Sequence, residues 1–344
     1  MMISNSKKPS LKSLGISKRQ AITDLVQITP LIAENSLPLL IQANVEGVNL
    51  VAWAANNQEL IKKSLLQYGG ILFRKFQVTE IAEFQQFIRV VAGDLLEYCD
   101  RSSPRSAIQG KIYTSTDHPS NQKILLHSEN SYAANWPLKI CFYCVKPAQQ
   151  GGETPIADIR KIYQRISPAV LEKFAQKQVM YVRNFGDGFG LPWQNVFQTS
   201  QPEKVAEFCY QNQIKFKWKA ENRLRTYSIR PAIAKHPITG ENVWFNHALF
   251  FHISSLETNI RESLLAEFGE ENLPHNTYYG DGSPIEPEIL DEIRAAYQQE
   301  TVIFPWLTGD VLMLDNMLTA HGRQPFFGNR KVVVGMAEPY SIDY

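Results

Sequence analysis

The chain has 344 residues, 44% of them hydrophobic and 20% charged, and 35 basic against 34 acidic side chains leave a net charge of +1. That length and apolar content suit a globular protein with a large core, whereas the near-neutral balance offers no field to gather a nucleic-acid backbone or an anionic membrane. No run of about 18 apolar residues is present, and the opening MMISNSKKPSLKSLGISKRQ has lysines without the apolar stretch of a secretory signal, so a cytoplasmic location is expected.

In chain order, polar residues 1–20 predict a loose tail, followed by a single domain over 21–344 with no internal repeat or low-complexity linker. NNQELIKKSLLQYG predicts a helix with Leu60, Leu65 and Leu66 among its apolar positions and Gly69-Gly70 as its stop. It leads into a short strand, GILFRKF. Thr79 is expected to cap EIAEFQQFIRVVAG, whose Ile81, Phe84, Phe87, Ile88 and Val91 share one helical face.

Strands and loops alternate from about 110 to 155, and Asp158 and Ser167-Pro168 then read as starts of two short helices. Residues 183–225, rich in Asn, Gly, Gln and aromatics, read as a long excursion of the lid or binding-loop kind. Ser283-Pro284 and Pro287 open the helix EPEILDEIRAAYQQE. The runs TVIFPW, DVLMLDN and KVVVGMAEPY then predict strands. Helices early and β elements late argue for an α+β protein around a β-sandwich or barrel.

Four cysteines are present: Cys99, Cys141, Cys144 and Cys209. CFYC at 141–144 has the spacing of a redox or zinc pair, but it lies in the apolar strand KICFYCV, where positions three apart face opposite ways. Buried packing is the expectation.

Of the seven histidines, His118 and His236 precede prolines in turns and read as surface residues, while His247 and His252 carry no metal role. His127 and Glu129, in LLHSENSY, would share one face of a strand as i and i+2 do. A third ligand must come from far away, and His321 follows the strand GDVLMLDN at a TAHGR turn. Two histidines and a carboxylate with open positions is the donor set of non-haem Fe(II) oxygenases. The alternative is a core histidine bonded to Glu129, with His321 a plain turn residue.

The flanks add a resemblance. LLHSENSYAANWPLKICFYCVKPAQQGGETPIADIR and GDVLMLDNMLTAHGRQPFFGNRKVVVGMAEP together resemble the TauD/TfdA family of Fe(II)- and 2-oxoglutarate-dependent dioxygenases, nearest its SyrP-like and clavaminate-synthase-like members that act on amino acids. The likeness runs from about residue 66 to 340. It implies a double-stranded β-helix, or jelly-roll, core with flanking helices and long lid insertions.

By that resemblance His127, Glu129 and His321 match the iron ligands, and Thr154 and Arg330 the residues that hold 2-oxoglutarate, with Lys331 the rival in a register shifted by one. A guanidinium suits the distal carboxylate because its planar fork pairs with two oxygens and its charge does not titrate. Taurine-type members carry a second arginine four residues on; here that position is Val334, or Gly335 in the shifted register, which disfavours sulfonates. Halogenases of the family lack the carboxylate ligand, and Glu129 is present.

The implied reaction takes O2 as co-substrate, releases succinate and CO2, and hydroxylates a C–H bond of a small amino-acid-like molecule, free or tethered to a carrier protein. Desaturation, epoxidation or cyclisation use the same cofactor. Asn130, Tyr132 and Arg323 are the candidate substrate contacts, Tyr113 and Asn246 weaker ones. A Zn or Mn hydrolase on a similar barrel and a catalytically silent metal-binding module are the competing classes.

Overall fold

The structure is a computed structural model that describes residues 25–32, 35–97, 105–186, 188 and 190–341; the expected tail over 1–20 and Cys99 lie outside them. An eight-stranded sheet runs in the spatial order Val26–Ile32, Asn35–Ala43, Gly70–Arg74, Val311–Asp315, Asn135–Lys146, Lys331–Ser341, Ile112–Thr114, Ala107–Gln109. Its centre joins strands far apart in the chain, so the fold closes only when the C-terminal strands arrive. The long strand Asn135–Lys146 pairs antiparallel with both Val311–Asp315 and Lys331–Ser341.

That strand is buried on both faces, which is why it reads as an unbroken apolar run. Ile140, Phe142 and Cys144 enter the core between the sheets with Leu312, Leu314 and Val334. Cys141 and Tyr143 pack on the other side with Phe84, Phe87 and Ile88. The two thiols therefore diverge, as strand alternation requires, and burial pushes that of Cys144 up to about 12.

The outer face carries helices Leu50–Asn56, Gln58–Tyr68 and Ile81–Ala92. Gln58–Tyr68 stops at Gly69, whose φ of 77° is a conformation glycine adopts freely. Ile61 and Leu65 supply its buried stripe, and Leu60 is exposed instead. Ile81–Ala92 is capped by Glu80 rather than Thr79, through a reciprocal capping box with Glu83. Thr79 still donates its own N–H and hydroxyl to Glu83. Asp158 and Ser167 are the N-cap residues of Ile159–Arg165 and Pro168–Lys177, and Pro287–Glu300 begins at its proline.

TVIFPW is not a strand. Val302 makes a single bridge to Ile156, and Pro305, lacking an N–H, cannot extend a ladder; Phe304 and Trp306 plug the core instead. The excursion over 183–225 is also more ordered than a loop. It contributes strands Val179–Phe185, Lys215–Lys219 and Arg223–Arg230 to a four-stranded sheet with His275–Tyr279. A separate cluster of Phe185, Trp193, Val196, Val205 and Leu224 holds it, because its aromatics bury against helices Trp193–Phe197 and Pro202–Gln211.

A small sheet, Ile124–His127, Thr319–Arg323 and Ile156–Asp158, packs opposite the large one. The turn feeding it is fixed by Asp315, which takes Lys139 Nζ at 2.7 Å and accepts the N–H groups of Met317 and Leu318. His236 completes the group. Its Nδ1 accepts backbone N–H groups and its Nε2 lies 3.3 Å from Asp315 Oδ2, so it is a buried structural residue, not a surface one. Burial opposes ionisation of Asp315, but Lys139 and His236 hold its carboxyl below the usual range. Lys139→Met leaves that carboxylate buried and short of its cation, and lowers unfolding free energy by about 3–5 kcal/mol in urea denaturation; a loss under about 1 kcal/mol contradicts this account of the turn.

Candidate active site

His127 and His321 are direct cross-strand partners in the small sheet. Residues opposite each other in an antiparallel pair project to the same face, and their ring centroids are 4.6 Å apart. Gly322 permits this approach, since a Cβ there would stand 2.6 Å from the Ile124 carbonyl oxygen. His127 Nδ1–H donates to the Leu125 carbonyl at 2.9 Å, which leaves Nε2 as a bare lone pair.

Glu129 arrives differently from the expectation. The strand ends at His127, so the pair is not i and i+2 of one ladder. Instead the chain turns, with Asn130 at φ 57°, and Asn316 clamps the turn: its Oδ1 accepts from Glu129 N–H at 2.7 Å and its Nδ2 donates to the Glu129 and Pro137 carbonyls at 2.9 Å each. The buried carboxylate then meets Arg105 Nη2 at 2.6 Å and lies 3.7 Å from His321 Nε2. Potential ligand atoms of His127, Glu129 and His321 all lie within 4.8 Å of one another.

Protonation suits a cation. Burial, with help from His321, lowers His127 to about 3. Burial resists ionisation of Glu129, but Arg105 and the two imidazoles outweigh it and hold the carboxyl well below the usual range. His321 Nδ1 is buried with no hydrogen-bond partner among the described residues. A neutral His127 beside an ionised Glu129 is the form a divalent ion requires, and three protein donors leave coordination positions open.

His127 and His321 line a cleft of about 240 Å3 with an aromatic and aliphatic wall that includes Leu125, Phe142, Phe250 and Phe251. Thr154 and Arg330 line it. Thr154 Oγ1 accepts from Trp306 Nε1 at 3.1 Å, which leaves its proton to donate. Arg330 donates Nε to the Gly152 carbonyl at 2.8 Å and Nη1 to Ser115 Oγ at 3.1 Å. Burial, and repulsion from Arg323, lower it to about 10. No ion pair engages it among the described residues. Lys331, the shifted-register rival, is exposed at the start of its strand.

Other substrate candidates fare unevenly. Arg323 lines the cleft, but its guanidinium is bonded to the carbonyls of His118, Pro119 and Gln122. Tyr132 is not among the lining residues; it packs under His247 and Phe251, with ring centroids at 4.9 and 5.0 Å. Asn130 lines a different cavity, beside Trp136 and Phe208. Tyr113 is in the inter-sheet core, and Asn246 is tied to Ala232 and Ala248. The backbone reversal at Asn130 turns the side chains of Asn130 and Tyr132 away from the cleft.

The sequence leaves His247 without a role and does not single out Arg105 at all. His247 hydrogen-bonds Ser131 Oγ through Nδ1 at 2.6 Å and backs the ring of His127 at 5.8 Å; its setting among the aromatics of WFNHALFF was the available signal. Arg105, in SSPRSA, had none.

A jelly-roll with two imidazoles on its small sheet and a carboxylate on the turn beside it, next to a cation-lined cleft, has the make-up of a mononuclear-metal oxygenase. The family model described as taurine catabolism dioxygenase TauD, TfdA family matches residues 33–336. The chain belongs to that family, and is an oxygenase dependent on Fe(II) and 2-oxoglutarate. It is 41% identical to the dapdiamide synthesis protein DdaC of Enterobacter agglomerans, over 81% of this chain and 85% of that one. A clavaminate synthase-like protein of Arabidopsis thaliana is 27% identical over 80% and 83% of the two chains. PvcB of Pseudomonas aeruginosa shares the fold, with a TM-score of 0.54 over 91% of each chain at 16% identity.

Asn316→Ala, which frees the Glu129 turn without touching a ligand atom, weakens Co(II) binding by about 10- to 100-fold in an anaerobic absorption titration. The metal-free protein also has a signed pH dependence. His127 at about 3 and His252 and His275 at about 4 stand below the ordinary 6.5, chiefly from burial. The unfolded chain therefore binds more protons in that window, and stability present above pH 6.5 is lost as pH falls toward 4. Urea denaturation at a series of pH values checks this, and His275→Gln makes the fall shallower.

Proposed function

We propose that His127, Glu129 and His321 hold Fe(II), that Arg330 and Thr154 hold the distal carboxylate of 2-oxoglutarate, and that the enzyme hydroxylates an unactivated C–H bond of an amino-acid-like substrate in specialised metabolism. The observation that carries this reading is a half-buried guanidinium without an ion-pair partner among the described residues, in the same cleft as His127 and His321, whose ligand atoms and that of Glu129 lie within 4.8 Å of one another. The name of DdaC, a protein of dapdiamide synthesis, supports a natural-product role.

When bound, the iron and 2-oxoglutarate supply the oxidising chemistry, with O2 consumed and succinate and CO2 released. The chain's own residues position and shield. Arg330 and Thr154 fix one end of the cosubstrate, and Gly152 makes room for the arginine: a Cβ at Gly152 would stand 2.9 Å from Arg330 Cδ. Leu125, Phe142, Phe250 and Phe251 keep the reacting face dry and hold the substrate against it. Leu125 O and the Arg105 cation orient His127 and Glu129. No side chain is required as a general acid or base. A carrier-bound substrate would use the same mouth, and no described helix is long and apolar enough to cross a membrane; we place the enzyme in the cytoplasm.

Fe(II) and 2-oxoglutarate added without oxygen give a weak visible charge-transfer band, which Glu129→Ala abolishes. Arg330→Gln retains Fe(II) but raises the 2-oxoglutarate half-saturation by about 30-fold or more, the effect of losing one partner of a partly buried charge pair at about 2 kcal/mol. Amino acids, free and carrier-bound, are screened for stimulated succinate release with mass detection of added oxygen. A band that forms equally in Glu129→Ala removes the ligand assignment.

A further inference from the structure

The cleft carries charge of one sign. Among the described residues that line it there is no aspartate or glutamate, whereas Arg105, Lys123, Arg323 and Arg330 all do. Glu129 answers Arg105 at 2.6 Å. In the loaded enzyme one carboxylate of 2-oxoglutarate would meet Fe(II) and the other would answer Arg330, and the cleft stays net positive. Arg323 and Lys123 remain.

Arg323 is only 4% exposed, its Nη atoms meet neutral backbone carbonyls, and its Nε is buried without a hydrogen-bond partner among the described residues. A buried cation without a counter-ion is costly unless something else supplies the anion. Lys123 stands exposed on the cleft and forms no ion pair among the described residues. An ammonium group entering here meets like charge and no carboxylate to receive it. A free α-amino acid brings such a group. The adjoining wall of Ile124, Leu125, Phe250, Phe251 and Leu256 offers apolar surface suited to an acyl chain.

We propose that the substrate is an N-acylated amino acid, bound as an anion, whose free carboxylate is received by Lys123 in the field of Arg323. This rests on the amino-acid reading above and narrows it: acylation removes the ammonium that the cleft cannot match and leaves the one charge that it can. Lys123 is then a specificity-determining residue at the mouth.

The test uses the anaerobic enzyme loaded with Fe(II) and 2-oxoglutarate, and follows the shift of the charge-transfer band as ligands are added. Each amino acid is compared with its N-acetyl derivative and with the uncharged N-acetyl amide. The N-acetyl acids are expected to bind about 10-fold or more tighter than either relative, and Lys123→Glu to weaken them by about 10-fold or more. The same variant leaves the band before ligand addition, and the binding of the amides, unchanged, which a general loss of structure would not do. Free amino acids that bind as tightly as their N-acetyl forms overturn the acylation, and unaltered N-acetyl acid binding in Lys123→Glu overturns the lysine's part. If no member of any set shifts a band that forms normally, the amino-acid reading itself falls, and this proposal with it.

Discussion

The structure depends on one antiparallel pairing, His127 opposite His321 in the small sheet. Sequence brings these residues no closer than 194 positions apart, so their meeting is a product of the ladder. The ladder in turn needs the core behind it, where Phe142 of the large sheet lies 5.1 Å from the His321 ring. Packing between the two sheets thus sets the spacing of the imidazoles. Burial by that packing is also what keeps His127 neutral, so one physical cause delivers both position and protonation state.

The carboxylate is governed by a second device. Asp315 and Asn316 are adjacent, and each organises a different partner: Asp315 shapes the turn that launches Thr319–Arg323, and Asn316 pins the turn that carries Glu129. One dipeptide therefore couples the approach of the second histidine to that of the carboxylate. Lys139 and His236, neither of them near the cleft lining, act on the site through this dipeptide.

Much of this was legible in the sequence where the signal was local. Strand alternation assigned Cys141 and Cys144 to opposite faces, glycine marked the end of Gln58–Tyr68, and proline marked the start of Pro287–Glu300. His127, Glu129, His321, Thr154 and Arg330 were named from the flanking motifs, and the fold gathers them about one cleft or its border. What stayed illegible depended on partners remote in the chain. The turn at Glu129 follows from Asn316, 187 residues on. Arg105 and His236 have unremarkable neighbours and are buried by contacts no window contains. Asn130 and Tyr132 do not line the cleft, because adjacency to a ligand implies a shared direction only while a strand continues, and the strand ends at His127.

That ending has a consequence for how such a site diversifies. His127 and His321 stand opposite each other in the ladder, so the sheet itself fixes where their side chains meet. Glu129 projects from a bend whose main chain is secured by a neighbour's amide, independent of its own carboxyl. The bend survives an exchange of its side chain, but the buried Arg105 then loses the carboxylate it meets at 2.6 Å, so the chemistry of position 129 is rewritten only in step with position 105.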